Sequence, residues 1–181
     1  PGTPDDRMKE ADFDTFDHLF EQAVQRFTTL GKSGLFLSGG LDSVSIAAVA
    51  TDLARQGKGK LPLALSIAFP DPESNEESRQ RSVAAQLELD QVILPFEEAA
   101  GPAGLIDSTL RLSTELDTPA QNPWLAIYHT LAVLGRQRGC EIILTGAGGD
   151  DWMTVNTAYM SDLMREFKLV QAAQFARSLM K

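Results

Sequence analysis

Four short, mostly apolar segments, each separated from the next by a stretch of helical periodicity, constrain this fold more than any other feature. They are Gly34–Leu37, Leu63–Phe69, Gln91–Leu94 and Glu141–Leu144. Strands buried on both faces have this composition, and they belong to parallel sheets whose crossover connections are helices. The sequence therefore predicts an α/β fold in which a parallel sheet carries helices on both faces.

The order of the strands follows from the handedness of the crossovers. Right-handed connections make 3-2-1-4 the common order, as in Rossmann-like sheets. The winding then reverses between the first and fourth strands, and ligands bind there, at the carboxyl ends of the strands. Turns of small residues follow these two strands, at Ser38–Ser43 and Thr145–Asp151. We expect the two turns to face each other across one crevice.

Periodic apolar residues and capping patterns predict the intervening helices. An amphipathic pattern from Phe13 to Phe27 predicts the first helix, and residues 43–55 predict the second. The stretch Ser74–Glu77 has the form of a capping box that opens a helix to about Leu89. Further helices are predicted over 102–112, from Asn122-Pro123 to about Arg138, and over most of the chain after Asp151.

Composition excludes several classes of function. The 181 residues carry a net charge of −9, so the chain should repel nucleic acid and anionic membranes. Cys140 is the only cysteine, which excludes an internal disulfide and argues against a zinc cluster. No apolar run approaches the roughly 18 residues of a membrane span, and no signal peptide opens the sequence, so we expect a cytoplasmic protein. We expect residues 1–11 to be a leader, and residues 12–181 to form one domain truncated at its C-terminus.

The first small-residue turn has the chemistry of an anion site. Gly39 and Gly40 remove the β-carbons that would keep an anion from the backbone, and the following helix points free N–H groups into the turn. The hydroxyls of Ser38 and Ser43 add donors, which together predict a nest for phosphate or pyrophosphate. Asp42 would repel a bare anion, so a Mg²⁺ ion between carboxylate and phosphate is expected. The alternative is a tight strand-to-helix turn with serine caps.

The second turn clears space in the same way. Its small residues leave room for a planar group, and Asp150 follows it much as Asp42 lies within the first turn. Two carboxylates that meet at the reversal of the winding would share a Mg²⁺ ion. The alternative is a flexible loop before an acidic helix start, since aspartate is favourable near a helix N-terminus.

Other candidate residues have ordinary structural interpretations. Cys140, at the start of a strand, is expected to be a packed core thiol. His129 is expected to be a hydrogen-bonded structural histidine, and Trp124 and Trp152 are expected to be packing residues.

Together the motifs resemble the asparagine synthetase family, within the N-type ATP pyrophosphatases. Ser38–Ser43 is similar to the pyrophosphate loop of that group. Asp117-Thr118-Pro119 and the turn at 145–151 are similar to the second characteristic stretch of the synthetases, in the same order and at similar spacing. The resemblance covers about residues 12 to 165. It implies that a carboxylate attacks the α-phosphate of ATP, that Mg²⁺-pyrophosphate leaves, and that an amine then attacks the acyl adenylate.

The resemblance also assigns roles by position. It implies that the pyrophosphate is held by Ser38, Gly39, Gly40, Asp42 and Ser43. It implies adenine and ribose contacts at Leu37, Ile67, Thr145 and Gly146, the first two through backbone atoms. It implies Mg²⁺ binding by Asp42 and Asp150.

Three departures from the family pattern leave the product open. Ala147 stands where the asparagine synthetases carry a glutamate, and neither a glutaminase domain with a leading cysteine nor a later lysine-bearing segment is present. Relatives that close β-lactams or lasso-peptide macrolactams vary at the glutamate position and use an internal amine. The expected substrate is therefore a small-molecule or peptide carboxylate, and a glutaminase domain or subunit is possible in the full-length protein. A catalytically inactive nucleotide-binding or partner-binding module is the alternative of another class.

Overall fold

A computed structural model describes residues 10–116, 119–120, 122–149 and 158–179. Its described residues form a four-stranded parallel sheet in the order β3-β2-β1-β4. The strands are β1 (Ser33–Phe36), β2 (Leu63–Ala68), β3 (Gln91–Pro95) and β4 (Ile142–Leu144). The predicted strand order is confirmed, and each boundary lies within one residue of the predicted one.

The first strand, β1, is central and buried on both sides. Leu35 is paired with Ala64 of β2 on one side and with Leu144 of β4 on the other. Its side chain is fully buried, as is that of Ala64. The buried apolar composition that predicted parallel strands therefore reflects packing on both faces of the sheet.

Two helices cover one face of the sheet. They are α2 (Leu41–Arg55) and α3 (Glu77–Gln86), which pack on β1, β2 and β3. The buried residues that form this core layer are Leu35, Leu37, Ala47, Ala64, Ala84 and Leu89.

Three helices cover the opposite face. They are α4 (Phe96–Ala100), α5 (Gly104–Glu115) and α6 (Leu125–Gln137), with α4 and α6 packed directly on the strands. This core layer is built from Leu63, Leu65, Ile67, Ala99, Ile127, Leu131 and Cys140. Because the chain changes face between β3 and β4, the winding reverses between β1 and β4, as predicted.

The amphipathic helix α1 (Glu10–Thr28) is present, but most of its apolar side chains are exposed. Val24 is buried against α2, together with Ala50 and Leu53. The exposed apolar side chains of the helix are Phe13, Phe16, Leu19 and Phe27. Helix α1 therefore packs on α2 through part of its apolar face, and it lies outside the two core layers of the sheet.

The predicted capping box does not form at the start of α3. Ser74 does not cap the helix; its backbone N–H and its hydroxyl both donate to a carboxylate oxygen of Asp71, at 3.0 and 2.9 Å. The side-chain oxygen of Asn75 accepts the N–H of Glu77 instead, at 2.9 Å. The helix consequently begins at Glu77, and it ends at Gln86 rather than near Leu89.

Two further helix predictions needed correction. The predicted helix at 102–112 is α5, and the short helix α4 precedes it without having been predicted. Gly101, with a φ of 78°, ends α4, and Gly104, with the same φ, is the first residue of α5; this left-handed backbone does not continue a helix. Helix α6 starts at Leu125 rather than at Pro123, and Asn122 accepts the N–H of Trp124 through its side-chain oxygen at 3.0 Å.

The chain divides into two compact units, residues 1–146 and 147–181. The described part of the second unit contains α7 (Ala158–Arg165) and α8 (Leu169–Leu179), which agrees with the helical expectation. Tyr159 and Phe175 join these helices edge to face, with ring centroids 5.1 Å apart. Across the described ranges, no helix has both the length and the apolar character needed to cross a membrane.

Candidate phosphate-binding site

The turn after β1 is braced by its own two serines. The hydroxyl oxygen of Ser43 accepts the N–H of Ser38 at 3.2 Å and lies 3.0 Å from the Ser38 hydroxyl oxygen. It also donates to the carbonyl of Gly40 at 3.2 Å, while the N–H of Gly40 donates to the Ser38 hydroxyl oxygen at 3.2 Å. One proton assignment satisfies all four contacts: Ser38 donates its hydroxyl proton to Ser43, and Ser43 donates its own to Gly40.

From the sequence, the serine hydroxyls and the N–H groups of α2 were both expected to donate to an anion, but the hydrogen bonds within the turn distinguish the two sets. The hydroxyls of Ser38 and Ser43 are engaged within the turn, so here they fix its shape. The N–H groups of the first turn of α2, which begins at Leu41, have no partner inside the helix, so they are the donors available to an anion. Gly39, with a φ of 88°, turns the chain between strand and helix at a conformation that a residue with a β-carbon rarely adopts.

The turn after β4 reaches the same place. A β-carbon built on Gly146 would lie 3.0 Å from the β-carbon of Asp42 and 3.0 Å from the backbone nitrogen of Ser43. The start of α2 and the turn after β4 are thus in close backbone contact. The expectation that the two turns face each other is confirmed as far as Gly146; Asp150 and Asp151 lie outside the described residues.

Asp42 is the candidate metal ligand that the structure describes. Its side chain is partly exposed at the start of α2, and its carboxylate forms no hydrogen bond or ion pair within the described part of the chain. A carboxylate with free oxygens beside backbone N–H donors fits a Mg²⁺ ion that also binds phosphate. The described residues contain no group of three or more His, Cys, Asp or Glu side chains that could hold a metal alone. Within the described residues, the other oxygens around such an ion would therefore come from the ligand or from water.

The predicted adenine contacts at Leu37 and Ile67 fall on backbone groups that are already engaged. The N–H of Leu37 donates to Leu65 at 2.9 Å, and its carbonyl accepts the hydroxyl of Ser66 at 2.8 Å. Ser66 is itself buried and accepts the side-chain amide of Gln91 at 3.1 Å. This buried chain of hydrogen bonds orients the peptide that joins β1 to the turn, and it leaves one lone pair on the Leu37 carbonyl.

Gln80 of α3 is a site residue that the sequence reasoning missed. Its side-chain nitrogen donates to the carbonyl of Ser38 at 3.3 Å and to the carbonyl of Ile67 at 3.2 Å. The side chain is 3% exposed, and its oxygen has no partner in the described structure. Gln80 therefore ties together the ends of β1 and β2. A polar residue four positions before Ala84, on the core-facing side of α3, was the signal that could have found it.

The structure confirms the predicted structural roles of Cys140 and Trp124 and contradicts that of His129. Cys140 is a buried thiol, and burial raises its pKa while the positive charge of Lys32 lowers it by less. Trp124 packs edge to face on Phe69, with ring centroids 5.9 Å apart, as a packing residue should. The interpretation of His129 as a hydrogen-bonded structural histidine is wrong, because its side chain is exposed and its ring forms no hydrogen bond within the described part of the chain. Trp152, Asp117 and Thr118 lie outside the described residues.

A doubly wound parallel sheet with a glycine- and serine-rich turn at the reversal of its winding defines a Rossmann-like α/β domain. The chain belongs to the asparagine synthase family, which it matches over residues 15–180. The match spans both compact units and confirms the resemblance that the two turns predicted.

Individual proteins that this chain resembles share only a small part of its sequence. "Amidase chyE" of Penicillium rubens is 27% identical over an alignment of 142 residues, which covers 73% of this chain and 20% of that protein. The chain thus spans about a fifth of the length of that relative. The solved structure of the U34-tRNA thiolase NcsA from Methanococcus maripaludis with its [4Fe-4S] cluster is 14% identical, with a TM-score of 0.49, over 83% of this chain and 54% of the other. An NAD⁺ synthetase from Burkholderia pseudomallei is 15% identical, with a TM-score of 0.34, over 70% and 55%.

Proposed function

We propose that this chain is the nucleotide-binding core of an ATP-dependent ligase that forms carbon–nitrogen bonds. The family match supports an ATP-utilising core of this kind. The observation that carries the proposal is the close contact between the serine-braced turn at the start of α2 and Gly146 of the turn after β4. An anion seated there would meet the N-terminal donors of α2 at the edge of the sheet where ligands bind.

In the proposed reaction a carboxylate oxygen of the substrate attacks the α-phosphorus of ATP. The bond from that phosphorus to the bridging oxygen breaks, and pyrophosphate leaves with its negative charge. An amine then attacks the acyl carbon, the bond from that carbon to the AMP oxygen breaks so that AMP leaves, and the nitrogen loses a proton to solvent. The chain's part is electrostatic: the N–H groups at the start of α2 stabilise charge on the departing pyrophosphate, and Asp42 would hold a Mg²⁺ ion that neutralises more of it.

Ala147 favours substrates other than aspartate. It stands where the asparagine synthetases have a glutamate, and its methyl group can neither accept a hydrogen bond nor carry charge. A ligase that closes a β-lactam or macrolactam ring with an internal amine is therefore the alternative within the same chemistry. A binding module without catalysis is the alternative outside it. Pyrophosphate release in the presence of aspartate and ammonia should stay at background, and robust release would contradict this interpretation of Ala147.

Titration calorimetry with ATP, with and without Mg²⁺, tests nucleotide binding directly. We expect binding that is tighter with Mg²⁺, and we expect Asp42→Asn to remove most of that metal dependence. Asp52→Asn is the matched control, since Asp52 lies three turns further along α2, is exposed, and is 4.0 Å from Arg55. An absence of binding at millimolar ATP, by a chain shown to be folded, would contradict the proposal.

A further inference from the structure

Arg79 lies directly against the turn after β1. A β-carbon built on Gly39 would be 3.3 Å from Cδ of Arg79, 3.5 Å from its Cγ and 3.6 Å from its Cβ. The aliphatic part of the arginine thus occupies the space that the missing side chain of Gly39 leaves open. The glycine consequently serves two purposes: its φ of 88° turns the chain, and its bare α-carbon lets an arginine approach the turn.

The neighbouring residue fixes this approach. Gln80 donates to the carbonyl of Ser38, so buried hydrogen bonds hold the start of α3 against the turn. Two consecutive residues of α3 therefore contact two consecutive residues of the turn. Gln80 is buried, whereas the side chain of Arg79 is 64% exposed, which leaves its charged end accessible to a ligand.

The guanidinium of Arg79 has a partner that it can exchange. Nη1 lies 2.8 Å from Oε1 of Glu76, in an ion pair whose two side chains are both well exposed. Exposed pairs of this kind contribute only about 0.2–1 kcal/mol, so a ligand with a higher negative charge competes with Glu76 effectively. Arg81 is the comparison residue on the same helix. It is about as exposed as Arg79 and forms a similar ion pair, with Glu77, but it comes after Gln80 in the sequence whereas Arg79 comes before it.

We propose that Arg79 binds the phosphate chain of a nucleoside polyphosphate seated on the turn, and that it leaves Glu76 to do so. This inference rests on the proposed function. The formal charge within the turn itself is that of Asp42, which is negative, and the chain carries −9 overall, so a polyphosphate needs a cation close by. Arginine suits the role because its planar fork of donors matches phosphate oxygens two at a time. The N–H groups at the start of α2 already supply donors for one phosphate. Arg79 is therefore expected to bind the other phosphates of the chain.

Titration calorimetry in Mg²⁺ with ATP, pyrophosphate and AMP, on wild type and three variants, tests the proposal. Arg79→Gln should weaken ATP and pyrophosphate by roughly tenfold or more, the size expected for losing hydrogen bonds to a charged group, and AMP by less than about twofold. Arg81→Gln should leave all three affinities unchanged. Glu76→Gln should tighten ATP by up to about fivefold, because it removes the competing carboxylate. Thermal unfolding without ligand verifies that each variant is folded.

The outcomes separate this inference from the proposed function. If wild type binds ATP and Arg79→Gln binds it equally well, the role of Arg79 is overturned and the proposed function stands. If Arg79→Gln weakens AMP as much as ATP, the arginine supports the shape of the turn and the phosphate role is overturned. If wild type binds neither ATP nor pyrophosphate, both proposals fail together. A tightening by Glu76→Gln that is specific to ATP and pyrophosphate supports the exchange of partners, since a purely structural ion pair would not produce it.

Discussion

Gly146 lies against Asp42 so closely that a β-carbon on the glycine would come within 3.0 Å of the β-carbon of the aspartate. These residues belong to turns that follow the two adjacent strands between which the winding of the sheet reverses. Their contact brings the N-terminus of α2 and the turn after β4 into one surface. Any ligand that uses the donors of α2 therefore also lies beside the backbone of Gly146.

Gly146→Ala should move the two turns apart. The new methyl group would meet the backbone nitrogen of Ser43 as well as Asp42, and neither belongs to the end of a flexible side chain. Overpacking of this kind costs about 1–3 kcal/mol of unfolding free energy. Urea denaturation should show that loss, and ATP affinity should fall as well.

Gly31→Ala is the matched control for that change. The three atoms nearest to a β-carbon on Gly31 all belong to the carboxyl group of Glu141, which is exposed and can rotate away. We expect its unfolding free energy to change by less than about 0.5 kcal/mol. If both variants lost the same free energy of unfolding, the loss in Gly146→Ala could not be attributed to the contact between the two turns.

The strand order and the meeting of the turns were predictable because both depend on features that sequence carries locally. Leu35 and its neighbours form a buried run, and right-handed crossovers leave few topologies for four such runs. The exposure of α1 was not predictable in the same way. Its periodicity identifies a helix with one apolar face, but what covers that face is decided by tertiary packing, and Leu19 remains 58% exposed.

Ser43→Ala should destabilise the turn after β1 before any ligand binds. The buried hydroxyl of Ser43 accepts from Ser38 and donates to Gly40, so its removal leaves these groups without their partner. A loss of about 1–3 kcal/mol is expected in urea denaturation. Ser45→Ala is the control, because its hydroxyl bonds only to Leu41 within α2, and the loss there should be under about 0.5 kcal/mol.

Cys140 should lower the stability of the protein at alkaline pH. Burial raises the pKa of its thiol above the ordinary value of 9.0, so the folded state keeps the proton after the unfolded state has lost it. Below that value the thiol is neutral in both states and contributes no pH dependence. As the pH rises through it, the unfolded state is stabilised by ionisation, and the unfolding free energy falls.

Urea denaturation of wild type and Cys140→Ala, at neutral pH and above the ordinary thiol pKa, measures this effect. The difference in unfolding free energy between the two proteins should shift in favour of the variant at the higher pH. Labelling with a thiol reagent should be slow in the native protein and fast in denaturant, since the thiolate is the reactive form. Rapid labelling of the native protein would show that the thiol is accessible and would contradict the predicted pH dependence.

Gln80 shows why part of the site could not be predicted. Its spacing from Ala84 places it on the core-facing side of α3, but nothing in the sequence shows which groups a glutamine there would bind. Its role depends on the carbonyls of Ser38 and Ile67, which lie 42 and 13 residues away along the chain. Contacts of that range are set by how α3 packs on the sheet, and a local pattern does not encode them.

Gln80→Glu and Gln80→Leu should therefore behave differently from each other. Leucine loses both hydrogen bonds but also removes the unpartnered oxygen of Gln80, so we expect a moderate loss of about 1–2 kcal/mol. The carboxylate introduced by Gln80→Glu would face the carbonyl oxygens of Ser38 and Ile67 in a buried position, which is more costly at neutral pH. Burial and those oxygens favour the protonated carboxyl in the folded state and raise its pKa there. Folding then takes up a proton, so the stability of Gln80→Glu relative to wild type should recover as the pH falls and worsen as it rises.

Urea denaturation across the acidic range measures this trend, with the exposed Gln86→Glu as a control that should follow wild type. A stability of Gln80→Glu that tracks wild type at every pH would show that the amide does not bridge the two strand ends in solution.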